Sequence, residues 1–506
     1  MKSQYFTEEH ELFRESVKAF VTKEILPFGD QWEKDKRTPK SLLKKLGDQG
    51  FLGINHEETY GGSNADFFYS VAYLEEIAKS GYGGVAAMIS VHQYMAINHL
   101  AEAGSHELKT KFLAPCISGD ALAAIAVTEP GGGSDVAAML TTAVRDGDHY
   151  IINGSKTFIT NGVYSDFVVV SCKTDPKAGV NGMSLIVVER GSPGFTATKL
   201  EKMGWHSSDT AELAFDNVRV PITNIVGKEN MGFFYIMESF QIERLVAGIM
   251  ANAGSEKVLE ITMKYMDERE TFGRKLKKYQ VLRHDIVNMY TELEAAKQLV
   301  YNTSWLFANG AIPVKECSMV KLFCTELSIK IVDACFQMFG GYAFMDDYPI
   351  SRAYRDTRIS NVVGGTSQIM REILSKMIID DKQYKKVYTN NTSDESKPEL
   401  TAKEIIQSLP NRIKTDRAAD VKQVFNFDIS GDGGGQFTVT IANGKCEVND
   451  GLDGAADCTV SSEASVYRDV ELGNLSPETA VMGGQLKISN LMAMMAFSKL
   501  FKKVNK

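Results

Sequence analysis

Tyr150-Ile151-Ile152-Asn153-Gly154-Ser155-Lys156-Thr157-Phe158-Ile159 is the stretch on which the fold reading turns. Apolar, β-branched and aromatic residues flank Asn153-Gly154, a dipeptide suited to the left-handed turn of a two-residue hairpin. The pattern predicts strands over 150–152 and 156–159 joined by a tight turn. Further β-rich runs follow at Phe167-Val168-Val169-Val170, Leu185-Ile186-Val187-Val188 and Ala211-Glu212-Leu213-Ala214-Phe215. Residues 123–230 therefore read as a β-domain of about seven strands.

On either side the period changes from two to that of a helix. Upstream, over 1–122, Phe6, Leu12, Phe13, Val17, Phe20 and Val21 form a charged amphipathic pattern. Leu42, Leu43 and Leu46, then Val71, Leu74 and Ile77, keep helical spacing. Gly61-Gly62 and Gly83-Gly84 read as loop punctuation. Downstream, 231–382 carries long helical patterns broken at Gly273, at 310–313 and at Gly340-Gly341, which fits a bundle of about four or five helices. Residues 383–399 are polar and read as a linker. Beyond it, over 400–506, Ile405, Ile406 and Leu409 mark a helix. Alternating Phe425, Phe427, Ile429, then Phe437, Val439, Ile441, then Cys446 and Val448 mark strands, with turns at 432–435 and Asn443-Gly444. The end is helical and rich in methionine: Leu491, Met492, Met494, Met495, Phe497, Leu500 and Phe501. Such a surface suits either a lipid pocket or an ordinary core.

At 506 residues the chain needs several domains, and its 44% hydrophobic and 24% charged residues are those of a globular protein. A net charge of −8 with dispersed basic residues argues against nucleic acid as a partner. No apolar run is long enough to span a membrane. Seven scattered cysteines, with no C-x-x-C pair, suggest core thiols in a reducing, cytoplasmic setting and no metal site. The first residues show no signal-peptide pattern.

Within Ser239-Phe240-Gln241-Ile242-Glu243-Arg244-Leu245-Val246-Ala247, one acidic residue stands out. On a helix, Glu243 shares a face with Ile236, Phe240, Ala247 and Met250. A carboxylate on an apolar stripe loses hydration and gains basicity, unless it is paired with a buried cation. Both readings stand on this evidence. The loop Thr128-Glu129-Pro130-Gly131-Gly132-Gly133-Ser134-Asp135 offers backbone N–H groups to a phosphate or a ring edge, or is simply a turn. It matches neither phosphate-loop nor dinucleotide fingerprints.

Taken with Phe158-Ile159-Thr160-Asn161-Gly162, Arg269-Glu270-Thr271-Phe272-Gly273, Gln337-Met338-Phe339-Gly340-Gly341 and Gly364-Gly365-Thr366-Ser367-Gln368, that loop resembles the acyl-CoA dehydrogenase family. The resemblance covers residues 1 to about 383. It implies a multidomain α+β fold: an α-helical N-domain, a β-barrel-like middle domain and an α-helical bundle. It also implies bound FAD. Val127, Thr128, Gly133 and Ser134 match the segment holding the flavin, Ser134 lying also near the acyl-CoA. Phe158 and Thr160 match residues at the flavin ring and its N5. Arg269, Thr271, Phe272 and Gln280 match residues that reach a neighbouring subunit's FAD, as do Gln337, Gly340 and Gly341. Thr366 and Gln368 match contacts to its ADP half. A homodimer or homotetramer follows.

Many family members place the catalytic glutamate directly before the Gly-Thr of the last motif, where this chain has Gly364. A branch resembling the isovaleryl-CoA and long-chain enzymes keeps it on the preceding helix, in the Glu-Arg-Leu context matched by Glu243-Arg244-Leu245. The resemblance then makes Glu243 the base that takes the α-proton. The N–H of Gly364, with a flavin ribityl hydroxyl, would hold the thioester oxygen while hydride leaves for flavin N5. Gln241, Arg244, Gly364 and Gly365 fall at substrate-binding positions. An electron-transfer flavoprotein is the implied acceptor. An oxygen-using oxidase, or a lipid carrier on an inactive scaffold, is the alternative.

Ala456-Asp457-Cys458-Thr459-Val460, Leu472-Gly473-Asn474-Leu475-Ser476-Pro477-Glu478 and Gly484-Gln485-Leu486-Lys487-Ile488 resemble the sterol-carrier-protein family. That implies a small α/β domain over 400–506 with a pocket for fatty acyl or other lipid. Where the family has a glycine before its last helix, this chain has Ser489-Asn490.

Overall fold

Two compact units follow one another along the chain, Met1–Asn390 and Asn391–Lys506. The structure, a computed structural model, describes residues 4–382, 400–419, 421–472, 477–482 and 484–502. The linker reading at 383–399, residues 473–476 of the C-terminal motif, and the side chains of Glu478, Leu491 and Met495 lie outside the described residues. Among those described, no helix is long and apolar enough to cross a membrane.

The first unit opens with α1 (Glu8–Phe20), where Thr7 caps the helix and His10 bonds back in a capping box. Val17 and Phe20 are buried, but Leu12 is 70% exposed. It sits one residue, about 100°, off the Phe13–Val17–Phe20 stripe, so it does not share the inward face. In α2 (Lys40–Asp48) and α3 (Phe67–Lys79), Leu42, Leu43, Leu46, Val71, Leu74 and Ile77 are all buried. Gly83-Gly84 is not a loop: it starts α4 (Gly83–Ser90). A Cβ on Gly83 would stand 2.7 Å from the Trp205 ring, so the pair marks close approach, not a turn.

The middle region forms one sheet of eight strands, one more than expected. They are β1 (Ala123–Ala126), β2 (Thr142–Asp146), β3 (His149–Thr160), β4 (Phe167–Lys173), β5 (Met183–Glu189), β6 (Phe195–Lys199), β7 (Thr210–Pro221) and β8 (Ile225–Val226). The order is β6-β7-β3-β2-β4-β5-β8, with β1 parallel to β4. The runs in β4 and β5 are continuously apolar because both faces are covered. Phe167, Val169, Leu185 and Val187 join a core with residues 96–117, while Val168, Val170, Ile186 and Val188 join the core on the other face.

The hairpin expected at Asn153-Gly154 is not there. Strand β3 runs through it unbroken, and the turn lies earlier, with Asp146 opposite His149 and Gly147 at φ +62°. Against β7 the pairing slips between Ile152 and Gly154, a bulge that spends the glycine differently. Gly154 has φ +148°, and a Cβ there would lie 2.5 Å from Thr141 Oγ1. Asn153 keeps a negative φ, so no primed turn can form.

Five helices complete the unit: α5 (Gly232–Glu268), α6 (Gln280–Ala308), α7 (Val314–Phe339), α8 (Pro349–Thr357) and α9 (Ser367–Ile378). A short ribbon, β9 (Glu270–Thr271) with β10 (Arg274–Lys275), separates α5 from α6. Helices α5 and α7 pack closely enough that a Cβ on Gly248 would collide with Val320.

The second unit has helices α10 (Ala402–Gln407) and α11 (Leu409–Arg412), then β11 (Lys422–Ser430), β12 (Gly435–Ala442), β13 (Lys445–Asp450) and β14 (Cys458–Glu463). Helices α12 (Ala464–Glu471) and α13 (Pro477–Met482), β15 (Leu486–Ile488) and α14 (Leu491–Lys499) follow. The sheet order is β13-β12-β11-β14-β15, β11 and β14 running parallel. Phe425, Phe427, Ile429, Phe437, Val439 and Ile441 fill its core, with Phe497 of α14 4.5 Å from Phe425 between ring centres. Met492 is exposed (78%) and Met494 half-buried. The missing glycine before α14 has a substitute: Asn490 caps the helix, its side chain accepting from Ala493 N at 3.1 Å.

Candidate active site

Glu243 lies in the middle of α5, 8% exposed, with Ile236 fully buried seven residues earlier. Phe240, Ala247 and Met250 on the same face are half-buried. Burial raises its carboxyl from 4.5 to about 7, against the opposing charge of Arg244 and a hydrogen bond from Ser239. That bond, Ser239 Oγ to Glu243 Oε1, is long at 3.4 Å. A carboxyl with these properties can take a proton and return it near neutral pH. Arg244, itself buried, donates through Nη1 to Gln241 Oε1 at 3.2 Å, which ties together the two expected substrate-binding side chains.

Gly364 and Gly365 stand just before α9, both in left-handed conformations at φ +65° and +96°. A Cβ on Gly364 would meet nothing within 4 Å, so a side chain there would have open space. Thr366 caps α9, its hydroxyl accepting from Ile369 N at 3.2 Å, and Gln368 is exposed in the first turn. The Gly365 carbonyl accepts from Lys321 Nζ, a buried cation on α7 that the sequence reading did not single out. Arg244 acts electrostatically on Lys321, so α5, α7 and the glycine pair share one charged neighbourhood.

A second group gathers where β1 leads into the glycine loop. Thr128 O accepts from Thr157 N at 3.0 Å, which couples the loop to β3 just before Phe158. Beneath them Lys156, wholly buried, donates to Val127 O (3.1 Å), Glu129 Oε1 (2.9 Å) and Ser171 Oγ (3.3 Å). Glu129 also accepts from Leu140 N at 2.6 Å and Thr141 N at 2.9 Å. Burial raises the Glu129 carboxyl, but Lys156 and these N–H groups outweigh it and hold it below its usual value. Burial draws Lys156 down, with Glu129 opposing. The sequence reading missed both residues; the available signal was a lysine among inward-facing positions of a strand. Above the pair, Gly133 and Ser134 are exposed, Thr160 is half-buried, and Phe158 is 70% exposed at φ +62°.

The third group lines a cleft of about 410 Å³ that includes Arg269, Thr271, Gln337, Gly340, Gly341 and Tyr342. Arg269 ends α5 and lies 5.5 Å from the Tyr342 ring centre. Thr271 is held in the ribbon by Tyr279, whose hydroxyl donates to its carbonyl at 2.6 Å. Phe272, in the turn between β9 and β10, has φ +49° and is 98% exposed; Gln280, exposed, starts α6. A Cβ on Gly340 or Gly341 would meet nothing within 4 Å. An open glycine-walled cleft with a guanidinium suits a pyrophosphate, and the exposed rings of Phe158 and Phe272 offer flat faces to aromatic groups, so the residues fit FAD.

Comparison with known proteins identifies the family. Residues 7–120, 124–218 and 230–379 match the acyl-CoA dehydrogenase N-terminal, middle and C-terminal domain models, and residues 402–502 match the SCP-2 sterol transfer family. The chain is 37% identical over 380 residues to a long-chain specific acyl-CoA dehydrogenase, mitochondrial, of Sus scrofa, covering 74% of this chain and 88% of that protein. It is 34% identical over 375 residues to an isovaleryl-CoA dehydrogenase, mitochondrial, of Pongo abelii, covering 73% and 88%. Among solved structures, an acyl-CoA dehydrogenase from Geobacillus kaustophilus matches with a TM-score of 0.72 at 42% identity, covering 74% of this chain and 99% of that one. The chain belongs to the acyl-CoA dehydrogenase family, FAD-dependent oxidoreductases of the CH–CH bond, and carries a C-terminal domain of the SCP-2 family.

Proposed function

We propose that the protein converts a fatty acyl-CoA, of medium to long or branched chain, to the trans-2-enoyl-CoA, with Glu243 as the base. The observation that carries this is the raised carboxyl of Glu243 on a buried helix face, in a chain whose usual base position is a glycine. A thioester α-proton is weakly acidic, so its removal needs a base and a donor for the developing enolate oxygen. Glu243 takes the α-proton, and the apolar helix face keeps water from competing for its carboxylate. The Gly364 N–H donates to the thioester oxygen, a role that needs no side chain. FAD, when bound, supplies the two-electron acceptor for the hydride that leaves the β-carbon. Val127, Thr128, Gly133, Ser134, Phe158 and Thr160 would hold its ring, and Arg269, Thr271, Phe272, Gln280, Gln337, Gly340, Gly341, Thr366 and Gln368 its phosphates and adenosine, partly across subunits. Open space at Gly364 supports branched substrates.

An oligomer is part of the proposal. Phe272 at 98% exposure, with Val281 (65%), Val287 (62%) and Tyr290 (47%) on α6, leaves apolar surface for a second copy to cover. Electrons would pass to an electron-transfer flavoprotein. The seven free, buried thiols are in keeping with a reducing, cytoplasmic location. The C-terminal domain would hold fatty acyl chains and raise their concentration near the active site.

Anaerobic titration of the FAD-loaded protein with saturated acyl-CoAs of increasing length tests the reading. The flavin absorbance should bleach, most readily with the preferred chain; no bleaching with any of them refutes it. Slow return of colour in air and fast return with an electron-transfer flavoprotein separates dehydrogenase from oxidase. Residues 400–506 should bind a fluorescent fatty acid, and no binding at micromolar ligand would sink the lipid role.

A further inference from the structure

The glycine pair at 364–365 poses a mechanical question. Two consecutive glycines have the widest conformational choice of any dipeptide, and both here are left-handed. Yet the N–H assigned to the enolate oxygen belongs to the first of them. A donor acts in the transition state only if its direction is set beforehand. A Cβ on Gly364 would meet nothing within 4 Å, so no packing around that position limits it. Gly365 rests against Met370, a flexible side chain that restrains little.

What does hold the pair is a side chain from another helix. Lys321 on α7 is fully buried, and its ammonium donates to the Gly365 carbonyl at 2.5 Å. Burying an ammonium in a helical core is costly, and a methionine of similar volume would fill the space without that cost. Its neighbours on the same face of α7, Cys317, Ser318, Cys324 and Thr325, are all buried and none carries a charge. Burial draws Lys321 down to about 8, with Arg244 adding to the shift and Glu326 opposing it, so the group still donates at neutral pH. The cation is thus held where it costs stability, on the carbonyl of the peptide that follows Gly365, the C-terminal end of the glycine pair.

We infer that Lys321 is a positioning residue for the reaction: by pinning the Gly365 carbonyl from α7 it anchors the C-terminal end of the glycine pair and so narrows the directions in which the Gly364 N–H can point at the thioester oxygen. It touches neither the reacting carbons nor the base. The inference rests on the proposed function and deepens it by naming what pre-organises the oxyanion donor.

The test uses the full-length, FAD-loaded protein and trans-2-dodecenoyl-CoA carrying ¹³C at the thioester carbonyl. In the wild type, the bound carbonyl stretch should lie below its solution frequency, as a carbonyl does on accepting a strong hydrogen bond. Lys321→Met should move the stretch back toward the solution value and lower kcat on dodecanoyl-CoA about 10-fold or more, with KM changed less than about 3-fold. Lys321→Arg, which keeps a charged donor, should restore most of both, and it keeps the test open if Lys321→Met does not fold. An unchanged stretch and kcat in Lys321→Met overturns the inference. The functional reading then stands or falls separately: it fails if the wild type neither binds the enoyl-CoA nor is bleached by dodecanoyl-CoA.

Discussion

Replacing Lys156 by methionine isolates the buried pair under the glycine loop. The substitution leaves Glu129, only 7% exposed, without its cation but with the N–H groups of Leu140 and Thr141 at 2.6 and 2.9 Å. Breaking a buried ion pair at one end costs about 3–5 kcal/mol, because the remaining charge is uncompensated. Two backbone donors already serve the carboxylate, which places the expected loss near the lower end, about 3 kcal/mol. For a unit spanning Met1–Asn390 the unfolding entropy corresponds to about 1.2 °C per kcal/mol, so its thermal unfolding should fall by about 4 °C. The sign with pH is fixed. Lys156 holds the Glu129 carboxyl below its usual value in the wild type, so that contribution is present above the unfolded pKa and is lost as pH falls through the folded one. The deficit of the variant should therefore shrink in acid. Removing both charges in Glu129→Gln/Lys156→Met should recover most of the loss. The assay is differential scanning calorimetry of the single and double variants at pH 3.5 and pH 7.5. A shift under about 2 °C for the single variant, or strictly additive losses in the double, would refute the reasoning.

Further outcomes follow from the same geometry. Glu243 is raised from 4.5 to about 7, so folding favours its protonated form; the penalty is absent below the unfolded pKa and complete above about 7. Glu243→Gln should thus be more stable than wild type at pH 8 by up to about 3 kcal/mol and nearly equal to it at pH 4, read by melting temperature. Arg269→Ala should weaken FAD binding about 10- to 100-fold, the worth of a charge-assisted hydrogen bond, measured by the recovery of free-flavin fluorescence on dilution. Gly364→Ala should cost about 1–2 kcal/mol from its left-handed backbone alone, and Gly365→Ala more, since its φ of +96° lies outside the left-handed well that other residues can enter. Equal melting temperatures for the two would contradict the backbone geometry described.

The helix, strand, helix order was legible because hydrophobic periodicity reports burial directly, and burial decides these elements. Leu42, Leu43, Leu46 and the alternating phenylalanines of β11 show this plainly. Asn153-Gly154 misled for an equally physical reason. Its turn propensity is local, whereas the bulge against β7 and the close approach to Thr141 are tertiary, and the tertiary terms prevail. The loss of hydration at Glu243 could be read because four apolar neighbours at helical spacing announce it. Lys156 and Lys321 could not be read in the same way. Lysine is almost always exposed; the inward register of Lys156 hints at burial, but which acceptors make it tolerable is set by the fold. The left-handed backbone at Gly364 is likewise invisible in a sequence that merely permits it.

The central claim is that Glu243 is the base. Rapid mixing of FAD-loaded wild type and Glu243→Gln with dodecanoyl-CoA, without oxygen, tests it most directly. Loss of a general base should slow flavin reduction about 100- to 10,000-fold while acyl-CoA binding persists. Reduction of the variant at the wild-type rate would contradict the account.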